Sequence, residues 1–183
     1  MEIPITDAKE SAFISRVRSG ETDAFKSLYD LNVESLFRFL KQFRKSENDV
    51  QELVQRSFIK AYEGLGRFDG RSKFRTWLFQ IALNELRGDA RRSSIVPFVV
   101  TDVMDELTSG DEEETVEWNS TLKTLFEQLD ETKRAVFILH EVEGYSHMEI
   151  AGMLSIGEST SRTILTRTKR WLRSQLKGTG RRL

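Results

Sequence analysis

The chain has no cysteine. Disulfides, thiolate metal sites and cysteine nucleophiles are therefore excluded. It has only two prolines and two histidines in 183 residues. So few prolines leave long segments without a helix breaker. His140 and His147 share a helix face only if a helix crosses Gly144, a turn former, and no third ligand accompanies them. There is no Gly-rich phosphate loop and no Ser/His/Asp set. No cofactor is expected, and the chain is not expected to be an enzyme. No apolar run approaches the roughly 20 residues of a membrane span. No secretory apolar region follows Met1, so the chain is expected to stay in the cytoplasm.

What remains is 38% hydrophobic and 31% charged, with long 3.6-period patterns. The expected fold class is all-α. Net charge is only −1, but the charge is segregated. Residues 102–117 carry acids, Asp111 to Glu114 in a row, with no Lys or Arg. Residues 159–183 carry bases and no acid. A near-neutral sum therefore hides a basic end suited to phosphates.

In chain order, a short helix is expected over Ser11–Arg18. Thr22-Asp23 offers an N-cap for a helix through Phe43, with Leu28, Leu31, Leu36, Phe39 and Leu40 as core. The next helix, Asp49–Leu65, has Val50, Val54, Phe58, Ala61, Tyr62 and Leu65 as its buried stripe. Its charged face, with Asp49, Glu52 and Arg56, has Leu53 projecting among the charges and Ile59 flanking them. That is either a docking surface or a singly exposed leucine.

Residues 67–92 open as a loop around Asp69-Gly70, with Arg71, Ser72 and Lys73 beside them. A helix follows from Phe74. At about 100° per residue, Thr76, Gln80, Asn84, Arg87 and Arg91 fall in one arc, edged by Trp77. Such a face suits unstacked single-stranded DNA: aromatic rings stack bases and basic groups hold the backbone. A solvated face beside a core Trp uses the same residue types.

Helical period is lost over 93–121, read as an acidic linker. In the last third, Ser146 and Glu149 make a capping box. A short helix, a turn at Ser155-Ile156-Gly157 and a long basic helix from Glu158 form a helix-turn-helix. Ser159, Arg162, Thr163, Thr166 and Arg170 share its outer face, and such side chains suit major-groove edges and phosphates. Ser161 falls inside the buried stripe, its hydroxyl expected on a backbone carbonyl one turn earlier.

The segments DVQELVQRSFIKAY, RFDGRSKFRTWLFQIALN and LHEVEGYSHMEIAGMLSIGEST, in this order across an acidic linker, resemble RNA polymerase sigma factors of the extracytoplasmic-function (ECF) group. The resemblance implies two small helical domains joined by the linker, the second a helix-turn-helix domain. The boundaries expected are 11–93, a linker over 94–117, 118–178 and a basic tail over 179–183. It implies polymerase docking on the largest-subunit clamp through Asp49, Glu52, Leu53, Gln55 and Arg56. It implies −10 recognition and melting through Phe68, Asp69, Gly70, Arg71, Ser72, Lys73, Thr76, Trp77, Gln80, Asn84, Arg87, Arg91 and Arg92. Within that set Phe68 stacks a flipped base, Asn84 lines its pocket, and Arg91 and Arg92 hold phosphates. Reading of −35 falls to Ser159, Thr160, Arg162, Thr163, Thr166, Arg167 and Arg170. The linker is expected to thread toward the RNA exit path. The partners implied are core RNA polymerase, promoter DNA (double-stranded at −35, single-stranded at −10) and an anti-sigma factor.

The chain departs from the family pattern at Gln51 and Arg56, where acids are usual. Glu85 points into an apolar arc. Ser155 replaces a turn glycine, Ser161 a core valine or isoleucine, and Ile164 an arginine. The alternative function is a helix-turn-helix regulator with a helical sensor domain, which leaves residues 68–84 without a role.

Overall fold

The computed structural model describes residues 8–44, 46–92 and 124–176, with backbone alone at 8 and 90–92. The described residues contain no strand. They form two compact units. Among them no helix is long and apolar enough to cross a membrane.

The first unit is built on four helices. Helix α1 spans Ala8–Arg18 and ends at Gly20, whose φ of 101° reverses the chain. Helix α2 spans Ala24–Lys41, starting where Thr22-Asp23 predicts. Ala24, Leu28, Asn32, Leu36 and Phe39 are its buried arc. Leu31, expected in the core, lies just outside that arc and is 58% exposed. Asn32 points inward instead, its amide donating to Leu28 O at 2.9 Å. A buried amide is tolerated when bonded in this way.

Helix α3 spans Glu47–Gly64, with the Ser46 hydroxyl accepting from Asp49 N. Its buried stripe is wider than the sequence pattern suggests. At about 100° per residue, Leu53 falls three after Val50 and four before Ser57, on the inward arc. It is 1% exposed and does not project among the charges. Tyr62, expected inside, falls beyond the other edge of the arc and is 44% exposed.

A short 3₁₀ turn, Leu65–Arg67, leads by a loop to helix α4, Phe74–Arg92. Phe74, Leu78, Phe79, Ala82, Leu83 and Leu86 are buried along it. Phe79 meets Phe39 of α2 with ring centroids 4.8 Å apart. Each such ring contributes on the order of 1.5–3 kcal/mol by leaving water.

The second unit begins with a helical turn at 124–127. Asp130 caps helix α5, Glu131–Phe137, accepting from Lys133 N at 2.8 Å. Buried Arg134 donates to Phe126 O and Leu129 O, closing the end of the preceding turn. Burial pushes its pKa down to about 10, which leaves it charged at neutral pH. A wide π-type turn, Ile138–Val142, follows, and Gly144 at φ 73° reverses the chain. Helix α6, His147–Leu154, opens with the expected Ser146/Glu149 capping box. Ser155 ends it in the left-handed conformation, φ 54° and ψ 46°. Helix α7, Glu158–Leu176, packs Leu165, Leu172 and Leu176 inward.

Candidate nucleic-acid interface

The loop at 68–73 is held from beneath. Arg18 of α1 donates to Leu65 O at 3.0 Å and also to Phe68 O. Gly70 takes φ 75°, and Arg71 N donates to Asp69 Oδ1 at 3.0 Å. A glycine suits this left-handed position because it carries no Cβ to clash. Asp69, Arg71 and Lys73 are thereby exposed, with Ser72 and Gly70 half-buried.

Phe68 is not a stacking platform in this structure. It is 4% exposed, packed 5.0 Å from Trp77 and 6.1 Å from Phe74 between ring centroids. The residue at the loop's entrance is pulled into the core by two aromatic neighbours that the loop brings beneath it. Trp77 is the half-buried ring of this cluster, and it lies over Gly64, where an added Cβ would come within 3.2 Å of it.

Helix α4 buries about 200° of its circumference, which leaves a narrow outward strip. Thr76 falls at the covered edge. It is 7% exposed, and its hydroxyl has no hydrogen-bond partner among the described residues. It is therefore removed from the DNA-facing set. Asn84 is exposed, and Gln80 and Arg87 are half-buried beside it. Backbone helicity continues through Arg91 and Arg92, whose side chains lie outside the described residues.

On α3, Asp49, Glu52 and Gln55 are exposed. Leu53 is lost from this face because it falls on the inward arc with Val50 and Ser57. Ile59, 49% exposed, is the apolar residue that does reach the surface there. It lines a groove of about 800 Å³ between α2 and α3 with Phe25, Tyr29, Val33, Phe58 and Tyr62. The sequence pattern flagged Ile59 but missed Tyr29 and assigned Tyr62 inward. Arg56 reaches toward Asp89 of α4, with which it forms two hydrogen bonds, while its Nε stays 3.9 Å from Glu52 Oε1 on the exposed face. Glu85 is buried as its place in the apolar arc implies, and Lys60 of α3 is its ion partner. The signal for Asp89 in the sequence is only an acid standing among arginines.

In the second unit, Ser159, Thr160, Arg162, Thr163, Thr166, Arg167 and Arg170 are all exposed along α7. Glu158 pairs with Arg162. Thr163 and Thr166 donate to the carbonyls of Ser159 and Arg162, each at 2.9 Å. Ile164 is half-buried at the edge of the face. Ser161 is fully buried, as expected. Its hydroxyl, however, shares a 2.9 Å hydrogen bond with His147 Nδ1 and not with a backbone carbonyl. His147 in turn meets His140, ring centroids 4.5 Å apart. The turn at Gly144 brings the two rings together without a shared helix. Nδ1 of His140 lies 3.0 Å from Glu141 Oε1, and Glu141 also pairs with Lys169 of α7. Burial, then His140 and Arg162, lowers the pKa of His147. Among the described residues no group of three or more His, Cys, Asp and Glu could hold a metal ion.

A helical unit with a polar strip beside a basic loop, and a second unit whose helix-turn-helix exposes Arg and Thr, define a DNA-binding protein without a catalytic constellation among the described residues. Residues 28–94 match the family model for Sigma-70 region 2, and residues 120–172 match that for Sigma-70, region 4. The sigma factor NccH of Alcaligenes xylosoxydans xylosoxydans is 35% identical over 160 residues, covering 82% of this chain and 84% of that protein. The ECF sigma factor SigW of Bacillus subtilis is 25% identical over 177 residues, covering 90% and 95% respectively. Among solved structures, CnrH in complex with the cytosolic domain of CnrY superposes with a TM-score of 0.70 at 25% identity, covering 93% of this chain and 98% of that one. RpoE of Bartonella quintana, solved with the anti-sigma factor NepR, gives 0.65 at 21% identity over 84% and 96%. The chain belongs to the RNA polymerase sigma factors of the ECF group. Proteins of this family are initiation subunits of the polymerase and not enzymes.

Proposed function

We propose that this sigma factor divides promoter recognition between its two units, mapped to residues 11–93 and 118–178, with 94–117 as linker and 179–183 as a basic tail. The first unit docks on core polymerase through Asp49, Glu52 and Gln55, with Ile59 and the α2–α3 groove supplying apolar area. The charges set orientation and encounter rate, and the apolar residues supply most of the affinity. The loop 69–73 and the outward strip of α4 hold the melted −10 strand. Trp77, Gln80 and Asn84 face the bases; Arg87, Arg91 and Arg92 face phosphates. Flipping a base out of the stack costs a few kcal/mol, which a fitted pocket returns. The second unit lays α7 in the −35 major groove, with Arg162, Thr163, Thr166 and Arg167 nearest the base edges. Such a protein acts in the cytoplasm, where the polymerase works. The complexes of CnrH with CnrY and RpoE with NepR support a regulatory partner of the anti-sigma kind.

The observation that carries this reading is the continuity of the basic loop with the narrow Gln80–Asn84–Arg87 strip. A sensor domain has no use for that arrangement. In vitro transcription with core polymerase and a promoter library tests it. The expected result is tight, sequence-selective opening only when core polymerase is present. Equal promoter affinity of the free chain would support the regulator reading instead.

A further inference from the structure

Asp89 is an acid in the last turn of α4, between Arg87 and Arg91. A carboxylate there faces the negative end of the helix dipole and would repel phosphate. The structure compensates it from α3. Arg56 Nη1 donates to Asp89 Oδ1 at 3.1 Å, and Nη2 donates to Oδ2. Arg44 Nη2 stands 3.9 Å from the same carboxylate. The Arg56 and Asp89 side chains are 30% and 24% exposed, so water and salt screen them less than an open surface pair. The two-pronged contact also fixes direction. It raises the pKa of Arg56 above the ordinary guanidinium value, chiefly through the hydrogen bond to Asp89. One turn along both helices, Lys60 neutralises buried Glu85 in the same way. Two acids of the DNA helix are thus met by two bases of the docking helix.

We propose that Arg56 is a positioning residue for strand holding and not a polymerase contact. It cancels Asp89 and fixes the last turn of α4, so that the end carrying Arg87, Arg91 and Arg92 meets phosphate with its full positive charge. This rests on the assignment of α4 to the −10 strand.

The test is a charge cycle in reconstituted holoenzyme: Arg56→Gln, Asp89→Asn and both together, against wild type. Arg56→Gln removes both hydrogen bonds to Asp89 and leaves it only the more distant Arg44. Open-complex affinity is expected to fall about tenfold on every promoter alike, with the salt slope flatter by about one unit. Affinity for core polymerase should change less than about twofold, as for a contact outside the interface. Asp89→Asn in the same chain should restore both opening and slope. A purely structural defect would lower affinity without moving the slope, and would overturn the proposal. So would a loss of core affinity without rescue by Asp89→Asn, or four proteins that behave alike. If wild-type holoenzyme opens no promoter, the assignment of α4 itself fails before the cycle is read.

Discussion

At the scale of single residues, exposure separates roles that residue type leaves mixed. Asn84 and Thr76 belong to one sequence arc, yet one faces solvent and the other is buried. Asn84→Ala is expected to lower opening by roughly 1–3 kcal/mol and to relax preference at a single −10 position, because base contacts carry the sequence choice. Permanganate footprinting on promoters varied one base at a time measures this. A uniform loss across all variants would take Asn84 out of the base pocket. The same contrast shows what the sequence could and could not say. The loop glycine, the capping box and the inward place of Ser161 were legible from local chemistry. The burial of Phe68 and Thr76 was not, because it depends on what the loop and neighbouring helices bring over them. Ser155 offers a second single-residue test. Its left-handed backbone, φ 54°, suits glycine. Ser155→Gly should stabilise the second unit by about 1 kcal/mol, read as a raised Tm.

At the scale of elements, α3 shows how a face is misread when a stripe is drawn too narrow. Leu53 belongs to the buried arc, so Leu53→Asp should do more than weaken docking. An unpaired charge there costs more than about 4 kcal/mol, and the first unit should lose helicity by circular dichroism. Ile59→Asp, on the exposed side, should keep its helicity and lose core binding; intact core binding by that variant would move the docking face elsewhere. The charge pairs between α3 and α4 were equally hidden, since Arg56 and Asp89 are far apart in sequence and no local pattern joins them. The histidine contact between the start of α6 and the core of α7 has a pH consequence. His140, Glu141, Glu158 and Arg162 act on His147, whose pKa is lowered, first by burial. Below about pH 6.5 the unfolded chain takes up a proton that the folded chain resists. Stability present at pH 7.5 should therefore decline as pH falls beneath 6.5. Thermal unfolding at pH 7.5 and 5.5 checks it, and His147→Asn should shrink the difference.

At the scale of the whole molecule, the charge pattern matters more than its sum. The net charge of −1 combines a basic carboxy end with an acidic stretch over 102–117, which lies outside the described residues. In the free chain that stretch is joined covalently to the helix proposed to sit on DNA. Its local concentration is therefore high whatever the protein concentration, as for any tethered group. Acids tethered in this way are expected to compete with phosphate for the same basic side chains and to lower affinity for DNA of any sequence. If the linker enters the polymerase's RNA path, assembly changes the competition, because a positive field that holds RNA also holds acids. Replacing Asp111, Glu112, Glu113 and Glu114 by Asn and Gln separates the two states. The free variant should bind random-sequence DNA several-fold more tightly at low salt, an advantage that vanishes as salt screens it. In holoenzyme, promoter opening should be unchanged while the ratio of abortive to full-length RNA shifts. Filter binding across a salt series and a run-off assay measure the two halves. If free-chain binding and the RNA ratio both match wild type, the acids act only as a solvated tether, and the segregation of charge has no bearing on promoter choice.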